Sequence, residues 1–122
     1  MPHTHLPHNH GEKSEAVFSH LPSTEDFMTV SELFRQLGDA SRIKIFWILC
    51  HCEECVINIS AMMNMSSPAV SHHLKQLKAS GLIVSCRKGK EVYYKATDSK
   101  QSVMLHEAIE TLVMITCPSV NK

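Results

Sequence analysis

The stretch "CHCEEC" at residues 50–55 sets Cys50, Cys52 and Cys55 in a C-x-C-x-x-C spacing with His51 inside it. Thiolates at this density take soft or borderline ions: three sulfurs suit Cd(II), Pb(II) or As(III), whereas Zn(II) asks for a fourth ligand. Cys52 and Cys55 lie three apart and share a side if that turn is helical. Cys50 also lies on an apolar stripe with Ile43, Phe46 and Trp47. A free cysteine there can serve as a small apolar filler, so both roles stay open. A second donor set stands at the amino end, where His3, His5, His8 and His10 form H-x-H-x-x-H-x-H. Neutral imidazoles suit Zn, Ni and Cu ions. Folded over the cysteines they would give a mixed sulfur and nitrogen set that favours Zn(II) or Cd(II); otherwise a His-rich tail is a nonspecific metal trap.

The rest of the chain must position these groups. Its 122 residues, 43% of them apolar, suffice for one core. No apolar run reaches the ~18 residues needed to span a bilayer, and the first twenty residues lack the apolar segment of a secretory signal. The expected place is therefore the cytosol, without membrane contact. Thiols stay reduced there, and five cysteines cannot all pair within one chain. The formal net charge of zero is unevenly spread. Between residues 66 and 100 stand Lys75, Lys78, Arg87, Lys88, Lys90, Lys95 and Lys100 against only Glu91 and Asp98. A local excess of this kind is the electrostatic footprint of a nucleic-acid binder or a solvated basic face.

Three segments follow from composition: a flexible His-rich arm at 1–22, a folded domain at 23–117 and a short tail at 118–122. "STED" from Ser23 has the form of a capping box, with Asp26 as the acidic partner. The spacing predicts a helix over roughly 24–37, with Phe27, Val30, Leu33, Phe34 and Leu37 on one stripe, ended by Gly38. Asp39 caps a second helix with Ile43, Phe46, Trp47 and Cys50 on its buried face, widened by Ile45 and Leu49. A third helix is expected near 56–63, and a fourth, capped by Ser67 with Pro68 in its first turn, runs to about 79. Its inward face is Val70, Leu74 and Leu77. Its outward face is Ser67, Ser71, His72, Lys75, Gln76 and Lys78. Past Gly81 the period alternates, and two β-rich runs flank "RKGK", where Gly89 supplies a hairpin turn. Residues 99–116 then read as a long terminal helix with Leu105, Ala108, Ile109, Leu112, Val113 and Thr116 in a stripe.

The fold class that results is mostly α with a small β-hairpin: a winged helix-turn-helix. A helix beginning with small hydroxyls can enter the major groove closely. His72, Lys75 and Gln76 can then reach base edges or phosphates, while Arg87, Lys88 and Lys90 on the hairpin lie along the neighbouring backbone. "LGDASRIKIF", "AVSHHLKQLKASGLI" and "RKGKEVYYK" together resemble the ArsR/SmtB family of metal-sensing winged-helix repressors over roughly residues 30–98.

The resemblance implies a homodimer whose first and last helices form the interface, in line with the stripes at 27–37 and 105–116. It implies a repressor that binds an inverted-repeat double-stranded operator, releases it on binding metal, and controls metal efflux or detoxification genes. It puts Ser67, Ser71, His72, Lys75 and Gln76 on the DNA side and gives His73 an inward, structural place. Cys55 matches the first cysteine of the family's "L-C-V-C-D" element, but Ile57 stands where the second would be. A metal role is thus assigned to Cys50, Cys52 and Cys55, with His3, His5, His8 and His10 as further donors; Zn(II) or Cd(II) come first, with Pb(II) or As(III) as alternatives. Another family site, between the terminal helices, needs an Asp and three further ligands. Asp98 fits, but Lys100, Thr111 and Met114 occupy the other positions, so that site is expected to be absent. His106 and Glu110, four apart, read as a surface pair, and Cys86 and Cys117 as weak candidates.

Three other functions compete, one of them a metal-binding storage protein with no DNA role, against which the basic segment and the recognition-helix match argue. A repressor of the same fold can sense oxidants or sulfur species through Cys50 or Cys52 with Cys117. An enzyme using Cys with His is the remote alternative, disfavoured because the sequence has no Gly-rich phosphate loop and shows no sign of a substrate cleft.

Overall fold

A computed structural model describes residues 6–116, and their side chains as far as Met114. His3, His5 and Cys117 lie outside the described residues. The order of elements is α1 (Glu12–Ser19), α2 (Thr24–Gln36), α3 (Ala40–His51), β1 (Glu54–Cys55), α4 (Val56–Met63), α5 (Ser67–Ala79), β2 (Ile83–Lys88), β3 (Glu91–Ala96) and α6 (Lys100–Thr116). The chain divides into two units, Met1–Glu32 and Leu33–Lys122, with the boundary inside α2.

In the first unit, the His-rich arm contains α1, a helix not expected from the composition, which buries none of its own residues. Acidic Glu12 and Glu15 in its first turn suit the positive end of the helix dipole, a local signal that composition alone hides. The capping box at Ser23 forms in both directions. The Asp26 amide donates to Ser23 Oγ at 3.1 Å, and the Ser23 amide donates to Asp26 Oδ2 at 3.3 Å.

In the second unit, Gly38 closes α2 by donating to the Arg35 carbonyl, and Asp39 caps α3 by accepting from the Arg42 amide at 2.9 Å. The buried side of α3 is Ile45, Phe46, Ile48 and Leu49. Trp47, placed by the spacing on the inward face, is instead 39% exposed, and Ile43 and Cys50 are half-buried. The helix is apolar on most of its circumference, so periodicity cannot say which stripe faces the core. Asn64 ends α4 in the left-handed conformation, φ 55°, an ending asparagine tolerates well. The cap of α5 is Ser66 rather than Ser67: Ser66 Oγ accepts from the Ala69 amide at 3.3 Å. That leaves Pro68 early in the helix, where a missing N–H costs nothing.

The sheet holds one strand more than the expected hairpin. Its order is β1-β3-β2, all antiparallel, with Glu54 opposite Tyr94 and Cys55 opposite Tyr93. A two-residue strand leaves no alternation to read, which is why the sequence did not disclose it. Between β2 and β3, Lys88 faces Glu91 across a turn in which Gly89 takes φ 64°.

One core joins these elements: Ile45, Phe46 and Leu49 of α3, Ile59 of α4, Val70, Leu74 and Leu77 of α5, Leu82 and Ile83 at the start of β2, and Leu105 of α6. The foot of α6 is fixed by buried Ser102, whose hydroxyl donates to the Leu82 carbonyl at 3.0 Å and lies 2.6 Å from Thr97 Oγ1. No helix among the described residues is long and apolar enough to cross a membrane.

Candidate nucleic-acid interface and metal centre

With Val70, Leu74 and Leu77 buried, α5 turns Ser67, Ser71, His72 and Lys75 outward, and all four are exposed. Gln76 is half-buried, 3.5 Å from the Gln36 amide that donates to it. Gln36 is 2% exposed and also accepts from the Arg42 guanidinium at 3.0 Å, while Arg42 Nε lies 3.3 Å from His73 Nδ1. This network ties the end of α2 and the start of α3 to α5. Desolvation is the main reason His73 stays below the ordinary histidine range, which suits a structural role. Sequence reasoning missed Gln36, since a polar residue at the end of an amphipathic helix reads as surface.

The hairpin carries Arg87, Lys88 and Lys90, all exposed. Lys88 is already engaged by the Glu53 carboxylate, which holds the ammonium above its usual range and the carboxyl below its own. Glu53 belongs to "CHCEEC", so the cysteine segment and the hairpin are joined twice: by that ion pair and by the pairing of β1 with β3.

The three cysteines have different surroundings. Cys50 is half-buried on α3, and burial first, the nearby Glu110 carboxylate second, pushes its thiol up to about 11. Cys52 is exposed at the end of α3 in extended backbone, its Sγ 3.5 Å from the Ile48 carbonyl. Cys55 is 8% exposed and precedes α4, also in extended backbone. Cys52 and Cys55 therefore do not share the helical side that their spacing allows; both have extended backbone, and the segment between them leads into β1 rather than through a helical turn. Among the described residues the cysteines carry no disulfide and form no group of three ligands drawn together. In the first unit, His8 and His10 are exposed, with ring centroids 5.9 Å apart.

What the fold does draw together is His51, His106 and Glu110, with one donor atom of each within 4.8 Å of the others. His51 Nε2 lies 3.0 Å from His106 Nε2 and 3.2 Å from Glu110 Oε2, and His106 Nε2 lies 3.3 Å from the same oxygen. Trp47 Nε1 donates to that oxygen at 3.0 Å, and the Trp47 and His51 rings stand 4.2 Å apart. Trp47, foremost, holds the Glu110 carboxyl below its ordinary range. The spacing had shown His106 and Glu110 as a surface pair; His51, 59 residues from Glu110, had no local signal linking it to them.

Residues 39–85 match the family described as "Bacterial regulatory protein, arsR family". The chain is 31% identical over 112 residues to the transcriptional repressor SmtB homolog of Synechocystis, spanning 92% of this chain and 85% of that one. It is 41% identical over 70 residues to the cadmium resistance transcriptional regulatory protein CadC of Listeria innocua, covering 57% of this chain and 59% of that one. A homodimeric winged helix-turn-helix DNA-binding domain from Mycobacterium bovis superposes with a TM-score of 0.65 at 22% identity, covering 77% of this chain and 89% of that one.

Proposed function

The chain belongs to the ArsR/SmtB family of bacterial regulatory proteins, a DNA-binding transcriptional regulator and not an enzyme, and from that premise we propose that it is a homodimeric repressor that releases its operator when "CHCEEC" takes up a thiophilic or borderline metal ion. One observation carries this reading. The cysteine segment is joined to the hairpin through β1 and through the Glu53 pair with Lys88.

The donor chemistry fits Zn(II), Cd(II), Pb(II) or As(III). Cys52 and Cys55 would hold the ion, with Cys50 as third sulfur once its thiol is deprotonated by the metal. The sulfurs must first be gathered, so ligation would have to move the Cys52 and Cys55 side chains, or the extended backbone that carries them. Any such change is felt where Cys55 faces Tyr93 and where α4 begins. Release follows if the ion binds this altered form more tightly; a coupling of about 1–3 kcal/mol is typical.

In the DNA-bound form, Ser67, Ser71, His72 and Lys75 would enter the major groove with Gln76 at its margin, and Arg87, Lys88 and Lys90 would follow the phosphates. Two protomers related by a two-fold axis would read half-sites about one turn apart, ~34 Å, or a multiple of it. A homodimeric relative of the same fold and the exposed apolar residues of α6 support the pairing. A cadmium-resistance regulator among the relatives supports the class of ion.

The test is fluorescence anisotropy of reduced, metal-free protein on an inverted-repeat promoter fragment at fixed salt, titrated in turn with Zn(II), Cd(II), Pb(II) and As(III). Near-stoichiometric release is expected with at least one of them. Cys52→Ser and Cys55→Ser should bind DNA like the parent and lose that release. Release that survives in both variants refutes the thiolate assignment.

A further inference from the structure

The geometry points to a second cation site, distinct from the thiolates: we propose that His51, His106 and Glu110 bind a divalent ion of the Zn(II) class between the end of α3 and the middle of α6.

The spacing of the donor atoms is the first argument. Their separations of 3.0, 3.2 and 3.3 Å form a nearly equilateral triangle. Ligands about 2.0–2.1 Å from a tetrahedral zinc stand ~3.3–3.4 Å from one another, so an ion seated just off the triangle reaches all three with little movement. Donor chemistry is the second. Two ring nitrogens that face each other at 3.0 Å, both beside one carboxylate oxygen, bring three atoms able to present a lone pair to one point, an arrangement that a cation fills. The third is support: Trp47 Nε1 donates to the ligating Glu110 oxygen, an outer contact of the kind that holds a ligand in place.

Two nitrogens and one oxygen form a harder set than the thiolates and select Zn(II), Co(II) or Ni(II) over As(III). His51 and Glu110 keep 43% and 46% of their side-chain surface open, leaving room for water as a fourth ligand. An ion here would clamp α6 to α3 within one protomer. An occupied site would thereby set the position of the terminal helix through an imidazole that the sequence places between Cys50 and Cys52.

The experiment is optical titration of full-length, reduced Cys52→Ser/Cys55→Ser protein with Co(II). One equivalent should give visible ligand-field bands of a tetrahedral or five-coordinate ion, without a near-ultraviolet sulfur-to-cobalt band, and Zn(II) should bleach them. His106→Gln, and separately His51→Gln on the other helix, should each weaken Co(II) binding by at least about tenfold, as expected for loss of a ligand. The site is overturned if no bands appear, if a sulfur-to-cobalt band accompanies them, or if both substitutions leave the titration unchanged. Failure of the thiolate reading shows instead in the unsubstituted protein, as absence of the sulfur band, and leaves these outcomes untouched.

Discussion

Asp39 accepts the Arg42 amide at the start of α3, and that bond, ahead of any other influence, lowers its carboxyl below the ordinary value of 3.8. A carboxyl lowered in the folded state adds stability above its unfolded value and loses it as pH falls through the folded one. Asp39→Ala should cost about 1 kcal/mol at neutral pH, a drop of roughly 4 °C in melting temperature, with the gap to the parent closing in acid below 3.8. Thermal unfolding of both proteins across that range checks the size and the sign. This cap was legible because an N-cap is written in adjacent residues. Gln36 was not, because its burial depends on Arg42 and on Gln76, 40 positions away. His51 was singled out only as the middle of a cysteine motif, whereas its contacts run to α6.

At the scale of elements, one cation of the proposed DNA-facing hairpin is already engaged. Lys88 is paired with Glu53, and in the proposed complex it would have to leave that carboxylate to serve a phosphate fully. Glu53→Gln should therefore tighten DNA binding and steepen its dependence on log salt by about one unit, whereas Lys90→Ala, which removes an exposed cation, should flatten it by about one. Anisotropy at several salt concentrations measures both slopes, and equal slopes for Glu53→Gln and the parent would show that Lys88 is not restrained. Most elements were readable: α4 begins and ends where the sequence places it, and α5 differs only in its capping serine. The misses have separate physical causes. In α3 the apolar residues wrap the helix, so Trp47 was turned inward on paper and outward in the fold. In β1 two residues pair because β3 offers an edge, not because their own types ask for a strand.

For the molecule as a whole, α6 is divided along its length. Leu105 closes the core and Ile109 packs against it, while Met104 and Met114 are 62% and 51% exposed. Phe34, near the end of α2, is 65% exposed. Large apolar side chains left in water on two helices fit a partner surface. Met104→Glu and Phe34→Glu should shift sedimentation towards the monomer, with little effect on folding, and weaken operator binding at least tenfold, because each half-site then has to be filled separately. A monomeric parent, or charged variants that stay dimeric, would remove these faces from the interface. The proposed pairing was legible as apolar stripes, but which residues of a stripe serve the core and which remain outside follows only from where α6 meets Leu82 through Ser102.

The chain has a single tryptophan, Trp47, and it stands against His51 while donating its indole proton to Glu110. Its emission is thus generated at the corner where α3 meets α6, with no second indole to dilute it. Arrival of a paramagnetic ion such as Co(II) or Ni(II), or parting of the two helices, would each change the brightness or the colour of that light. The protein carries a built-in optical gauge of the contact between α3 and α6, readable without a label and on the time scale of mixing.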